Sequence, residues 1–292
     1  MTCAAFFPAA AAAAVLEVEP FNHPANPGSG LNGLNGGSGW SAPWSDPDSL
    51  PTLAATNTSL AYPPGGSLTP SGGRLETTAA ASGNSAVRGL GTPMNLGDPD
   101  QTFYSSALFR RSAVLGETAE VRFERSDGTV AWYYGLDANG SFSVAVNPNS
   151  PAERTTTISQ AHPDRTYLLV SRLRTNIDIL GTDEVLLAVY PEGSNVNNST
   201  DGIPATGISA ITVDRVRLTF SNAAGQTNQF DEFRVGTTLA DVTGVPEPSA
   251  ASLALATLLA ARRRRRPAPP RERPRDIRER RNGATFPRPG RV

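Results

Sequence analysis

AEVRF at residues 119–123, TVAWYYG at 129–135 and SFSVAV at 141–146 decide how this chain folds. Apolar and polar residues alternate along each, the period of a half-buried strand. Ser126-Asp127-Gly128 and Asp137-Ala138-Asn139-Gly140 separate them, and Asn147-Pro148-Asn149-Ser150 follows, all of them turn-forming combinations. The same pattern extends outward through TFYSSALFRR (102–111), YLLVSRL (167–173), EVLLAVY (184–190), ISAITVDRVRLTF (208–220) and QFDEFRV (229–235). Many short strands, regular turn signals and no convincing amphipathic helix predict an all-β antiparallel sandwich over residues 15–243. In the last strand a strict period of two predicts that Phe230 faces away from Phe233 and Val235. It also turns Asp231 and Glu232 to opposite sides, where they would salt-bridge or solvate a sheet edge.

Charge is distributed very unevenly along the 292 residues, whose formal net charge is only −1. Residues 262–292 hold 13 arginines against Glu272, Asp276 and Glu279, a balance of +10, which leaves an acidic remainder of −11. The basic tail at 267–292 is rich in proline and poor in apolar surface, so it is expected to be disordered. One aromatic, Phe286, gives it little to stack bases on, and nucleic acid is not expected as a partner. At the other end, MTCAAFFPAAAAAAV reads as a signal-peptide-like segment over 1–14, without a basic start and interrupted by Pro8, so it reads as incomplete. Cys3, the single cysteine, lies inside it, so the exported body would carry no disulfide, zinc cluster or catalytic thiol.

Three parts follow the body in order. Pro246, Glu247 and Pro248 precede an apolar run of thirteen residues, 249–261, and then come Arg262, Arg263, Arg264, Arg265 and Arg266. An apolar run partitions into a bilayer and an arginine block behind it resists translocation, so together they form a membrane stop. As a helix the run reaches about 20 Å, short of a core of about 30 Å, which suits a transient signal better than a permanent anchor. The order resembles the PEP-CTERM sorting signal of exported bacterial proteins. The resemblance implies that residues 245–266 are a sorting signal, with Pro246, Glu247 and Pro248 processed by an exosortase-type membrane protease-transpeptidase.

The body carries a second resemblance. Glu19-Pro20-Phe21-Asn22-His23-Pro24, a glycine- and asparagine-rich stretch from Leu31 to Gly39 leading into Trp40 and Trp44, and the closing FDEFRVG (230–236) resemble exported surface proteins of the planctomycete type. In those the body is a concanavalin A-like (laminin-G-like) jelly roll. That implies architecture rather than a reaction.

Chemistry is sparse. The dinucleotide-loop spacing at residues 28–33 has no apolar strand before it, and Gly36 and Gly37 stand where a helix would begin, so it reads as a glycine-rich loop that lets Trp40 and Trp44 fold back on the sandwich. Glucanases that resemble this fold need two carboxylates in a Glu-x-Asp-x-x-Glu segment. The nearest segment, residues 176–181, has Asn176 and Gly181 in place of the glutamates, leaving Asp178 alone, and no hydrolase is expected. His23 and His162 stand beside prolines with no nucleophile elbow near either. Asp46, Asp48, Asp98, Asp100 and Asp137 could offer oxygens to calcium, yet none completes a calcium loop and no metal ligand is assigned. Two functions therefore remain: a non-enzymatic exported protein of the cell surface or extracellular matrix, and a lectin-like module for exopolysaccharide. For the second, Trp40, Trp44, Trp132, Tyr133 and Tyr134 are the candidate stacking groups.

Overall fold

The computed structural model describes residues 14–23, 30–47, 53–62, 68, 70–77, 81–112, 118–148, 154–176, 183–196, 203–222 and 226–245. Pro246, Glu247, Pro248, the apolar run, the arginine block Arg262–Arg266, the tail and the N-terminal segment 1–13 lie outside them, as does Asp178. One sheet has the order β12 (Ile203–Thr206), β11 (Glu184–Pro191), β10 (Tyr167–Arg174), β5 (Thr102–Arg111), β14 (Asn228–Gly236), β3 (Arg74–Thr77), β2 (Leu53–Thr56), and β1 (Val15–Glu19) also pairs with β14. The other has the order β4 (Ala81–Asn95), β13 (Thr212–Asn222), β6 (Thr118–Glu124), β7 (Val130–Leu136), β8 (Ser141–Val146), β9 (Arg154–Gln160). The paired strands are antiparallel, and the chain passes repeatedly from one sheet to the other. The result is an all-β jelly-roll sandwich.

The core between the sheets is built from the inward half of each alternating strand. Val121 and Phe123 of β6, Trp132 and Tyr134 of β7, and Phe142, Val144 and Val146 of β8 all lie in it. Phe123 stacks on Trp132 with ring centroids 4.2 Å apart, and Phe109, Phe142, Phe220 and Phe230 meet edge to face or tilted at 5.2–5.8 Å. β10 does not alternate in sequence because its outer face is covered as well. Leu168 and Val170 join Leu60, Tyr62, Leu68, Leu108 and Tyr190 in a second apolar cluster, closed by Leu239 and Val242 of α1 (Leu239–Thr243). Thr238 and Asp241 form a capping box for that helix, and Gly244 ends it in the left-handed region. Among the described residues no helix is long and apolar enough to cross a membrane.

Phe230 does not face away from Phe233 and Val235, because all three lie in the core. The strict period of two fails at a bulge. Glu232 takes φ 49°, and the pairing of β14 with β5 slips between Asp231 and Arg234. The partner on the opposite side of β14 changes there too, from β3 at Gln229 and Phe230 to β1 at residues 233–236. Asp231 and Glu232 are accordingly fully buried in a central strand rather than solvating an edge.

The glycine-rich loop does what its composition suggests. Gly37 and Gly39 have φ of 70° and 88°, and a Cβ at either would stand 1.9 or 1.8 Å from the Val18 or Leu16 carbonyl oxygen. Only glycine lets the loop run this close to β1. That approach brings Trp40 and Trp44 in against Arg88 of β4.

Candidate functional site

The tryptophans set against Arg88 form a closed polar cluster rather than a binding face. Arg88 stands at a core-facing position, opposite Val216, and is 1% exposed. Its guanidinium pairs with the fully buried Glu19 and donates to Asn35 Oδ1 at 2.7 Å and the Ala42 carbonyl at 2.9 Å. Trp44 donates from Nε1 to Glu19 Oε2 at 2.8 Å, and the Arg88 guanidinium lies 4.8 Å from the Trp40 ring and 5.6 Å from that of Trp44. His23 Nε2 sits 3.4 Å from Glu19 Oε1. Burial pushes the Glu19 carboxyl upward, but hydrogen bonds from His23 and Trp44 and the charges of His23 and Arg88 outweigh it and hold the group below the usual carboxylate range.

The sugar-stacking assignment therefore fails for Trp44 and Trp132, which are 1% and 2% exposed. Trp40 is half-buried, donates to the Val18 carbonyl, and has Phe233 stacked 5.9 Å away. Tyr134 is fully buried, with its hydroxyl accepting from Ser105 Oγ at 3.1 Å. Burying a large ring against core aromatics wins over displaying it. Tyr133, next along β7, turns to the outer face of its sheet and carries the Arg122 guanidinium 5.7 Å from its ring. Of the rim aspartates, Asp98 and Asp137 serve turns, and Asp48 lies outside the described residues. Asp137 Oδ1 accepts from the Asn139 and Ser141 amides, and Asp98 Oδ1 accepts from Asn95 Nδ2. Among the described residues no three His, Cys, Asp or Glu side chains gather as metal ligands would.

The open site lies on the other sheet, where the segment after β2 crosses its outer face. The bulge residues hold that segment down. Asp231 Oδ2 accepts from the Leu60 amide at 2.8 Å, and Glu232 accepts from the amide and hydroxyl of Ser71 while pairing with Arg234 at 2.9 Å. Burial pushes the Asp231 carboxyl up to about 7, helped by the neighbouring Glu232 charge and opposed by the Leu60 and Glu232 amides. Leu60 and Tyr62 anchor the same segment in the second apolar cluster.

Between this segment and the ends of β3, β5 and β14 opens a cleft of about 350 Å³. Residues 58–61 line it on one side, and Arg74, Arg110, Arg111 and Gln229 line it from the strands. Asp164 contributes from the turn before β10. Arg74 is committed: Nε and Nη2 reach Glu76 Oε2 at 3.0 and 2.8 Å, and Nη1 reaches the Thr58 carbonyl at 3.0 Å. The same Glu76 oxygen accepts from Gln229 Nε2 at 2.9 Å, fixing the amide beside it. Arg111 is buried and donates to the Ala161 carbonyl. Arg110 points outward, with its Nη2 3.3 Å from Asp164 Oδ1 and the two side chains 37% and 70% exposed. The arrangement offers guanidinium, amide, hydroxyl and peptide groups to a polar ligand. A second depression, lined by Tyr104, Arg172, Leu186 and Tyr190 among others, measures about 30 Å³, room for little more than a water.

No protein-family model and no curated protein matches the sequence. Solved structures resemble the chain in part. The globular domain of T. cruzi calreticulin matches at 12% identity and a TM-score of 0.43, covering 76% of this chain and 97% of that one. The exoplasmic/lumenal domain of VIP36, in a Ca2+/Man3GlcNAc-bound form, matches at 11% and 0.42, covering 65% and 84%. The CBM2 module of the evolved Dit protein of Lactobacillus casei BL23 phage J-1 matches at 12% and 0.40, covering 80% and 98%. What this chain binds is a matter for its own residues.

Proposed function

We propose that this chain is an exported, non-catalytic β-sandwich that holds polysaccharide at the cell surface or in the extracellular matrix. The observation that carries the reading is the cleft. At about 350 Å³ it lies within the usual range of small-ligand sites, roughly 300–1,000 Å³, and its lining is polar enough to meet sugar hydroxyls. Asp164 is its one lining carboxylate among the described residues, whereas glycoside hydrolysis by the common routes takes two, so the cleft is read as a binding site. Export and surface delivery draw support from the terminal pattern: Pro246, Glu247 and Pro248 for an exosortase-type protease, and Arg262–Arg266 as the stop.

Native protein recovered from surface and matrix fractions tests both halves. Mass-spectrometric mapping is expected to find chains that begin near Val15 and end near Pro246–Pro248, and this material is expected to be retained on immobilised exopolysaccharide. A cytoplasmic protein that keeps Arg262–Val292 would contradict the export half, and passage through every polysaccharide matrix would contradict the binding half.

A further inference from the structure

We propose that the cleft recognises a carboxylate-bearing sugar, a uronate unit, with Arg110 meeting the carboxylate. This rests on the glycan-binding reading above and names its ligand class. Residues 1–261 carry 13 arginines and 24 acidic residues, yet among the described residues three of those arginines and a single acid, Asp164, line one cleft, with Glu76 paired to Arg74 beside it. A locally cationic cleft on an acidic body draws in an anionic sugar and disfavours anions elsewhere on that surface.

Within the cleft the three guanidinium groups differ in their commitments. Arg74 is spent on Glu76 and the Thr58 carbonyl, and Arg111 is buried with a donor on the Ala161 carbonyl. Among the described residues Arg110 has one ion pair, 3.3 Å long, to an aspartate that is 70% exposed. Such an exposed pair is weak, so exchanging Asp164 for a ligand carboxylate costs little. The planar guanidinium can then take that carboxylate through two parallel N–H donors, a geometry an aspartate held at one oxygen does not use. Gln229, Thr227 and Thr58 stand in the same lining to meet the sugar hydroxyls.

Asp164 is thus a competitor for the ligand. Its backbone sits at φ 57°, a conformation asparagine adopts as readily, so Asp164→Asn removes the charge and keeps the turn. The full chain titrated with trigalacturonate, the neutral galactose trimer and a sulfated galactose trimer tests the assignment. Trigalacturonate is expected to bind about tenfold tighter than the neutral trimer, as a charge-assisted pair in place of a neutral contact would give. Arg110→Glu is expected to erase that preference, and Asp164→Asn to tighten trigalacturonate binding several-fold. Equal affinity for charged and neutral trimers overturns the uronate assignment and leaves the glycan reading standing. Tighter binding of the sulfated trimer overturns it in favour of a sulfate ester. An anionic preference that survives Arg110→Glu places the carboxylate on other arginines of the chain and overturns it too. Failure to bind any trimer or polysaccharide removes the glycan reading itself.

Discussion

Arg88→Ala is expected to destabilise the sandwich by about 3–5 kcal/mol, because it leaves Glu19 charged and buried without its partner. Glu19 is fully buried, and only Trp44 Nε1, the Phe21 amide and His23 Nε2 at 3.4 Å remain among its described partners, none of them a guanidinium that neutralises it. The substitution also removes the side chain against which Trp40 and Trp44 pack, and the donors to Asn35 and Ala42 that tie the glycine-rich loop to β4. Denaturant titration should shift its midpoint to lower concentration with the slope unchanged. The paired variant Arg88→Met with Glu19→Gln should recover much of the loss, since a buried ion pair replaced on both sides is often close to neutral. A single variant within about 1 kcal/mol of the native protein would contradict the cluster, since removing one partner of a buried pair costs well above that.

Stability is expected to fall as pH rises from 5 to 8. Burial pushes Glu17 up to about 7, against hydrogen bonds from Thr92 and Gly91, and pushes Asp231 to about 7 as well. Unfolded, both groups titrate near the ordinary carboxylate values. Between those values and about 7 the folded chain therefore holds protons that the unfolded chain has released, so stability present in mild acid is lost as pH rises through 7. Each group contributes a slope of about 1.4 kcal/mol per pH unit at most. Glu19 acts in the opposite direction. Its folded value is held low, so its contribution is present above the ordinary glutamate range and lost as pH falls below it. Maximum stability is thus expected in mild acid. Denaturant titrations at pH 5, 6, 7 and 8 check this, and Asp231→Asn should flatten the profile. A profile flat or rising from pH 5 to 8 in the native protein would contradict it.

How far the residues could be read in advance depended on where their partners lie. TFYSSALFRR and SFSVAV match β5 and β8 at both ends, because turn residues bound them and one side of each carries the core. β4 carries no alternating strand pattern of its own. Its core-facing positions include Arg88, and Gly89 and Gly91 dilute it, so Arg88 is accommodated only by Glu19, which pairs with it, and by Trp40 and Trp44, all more than forty residues upstream. The bulge did leave a mark: Phe230 and Phe233 stand three apart in a strand, a spacing that only an inserted residue can turn to one face. The cleft left none. Leu60, Arg74, Arg110, Asp164 and Gln229 come together only when five distant segments meet, and no local pattern announces that. The tryptophans, conspicuous in sequence as sugar platforms, drew attention to a core and a buried ion pair instead.

Backbone NMR of the full chain during titration with trigalacturonate tests the central claim most directly. The account predicts shifts at Leu60, Ala61, Arg110, Thr227 and Gln229, around the cleft. Shifts confined to Tyr133 and Arg122 on the outer face of the six-stranded sheet, or to the arginines of residues 262–292, would contradict it.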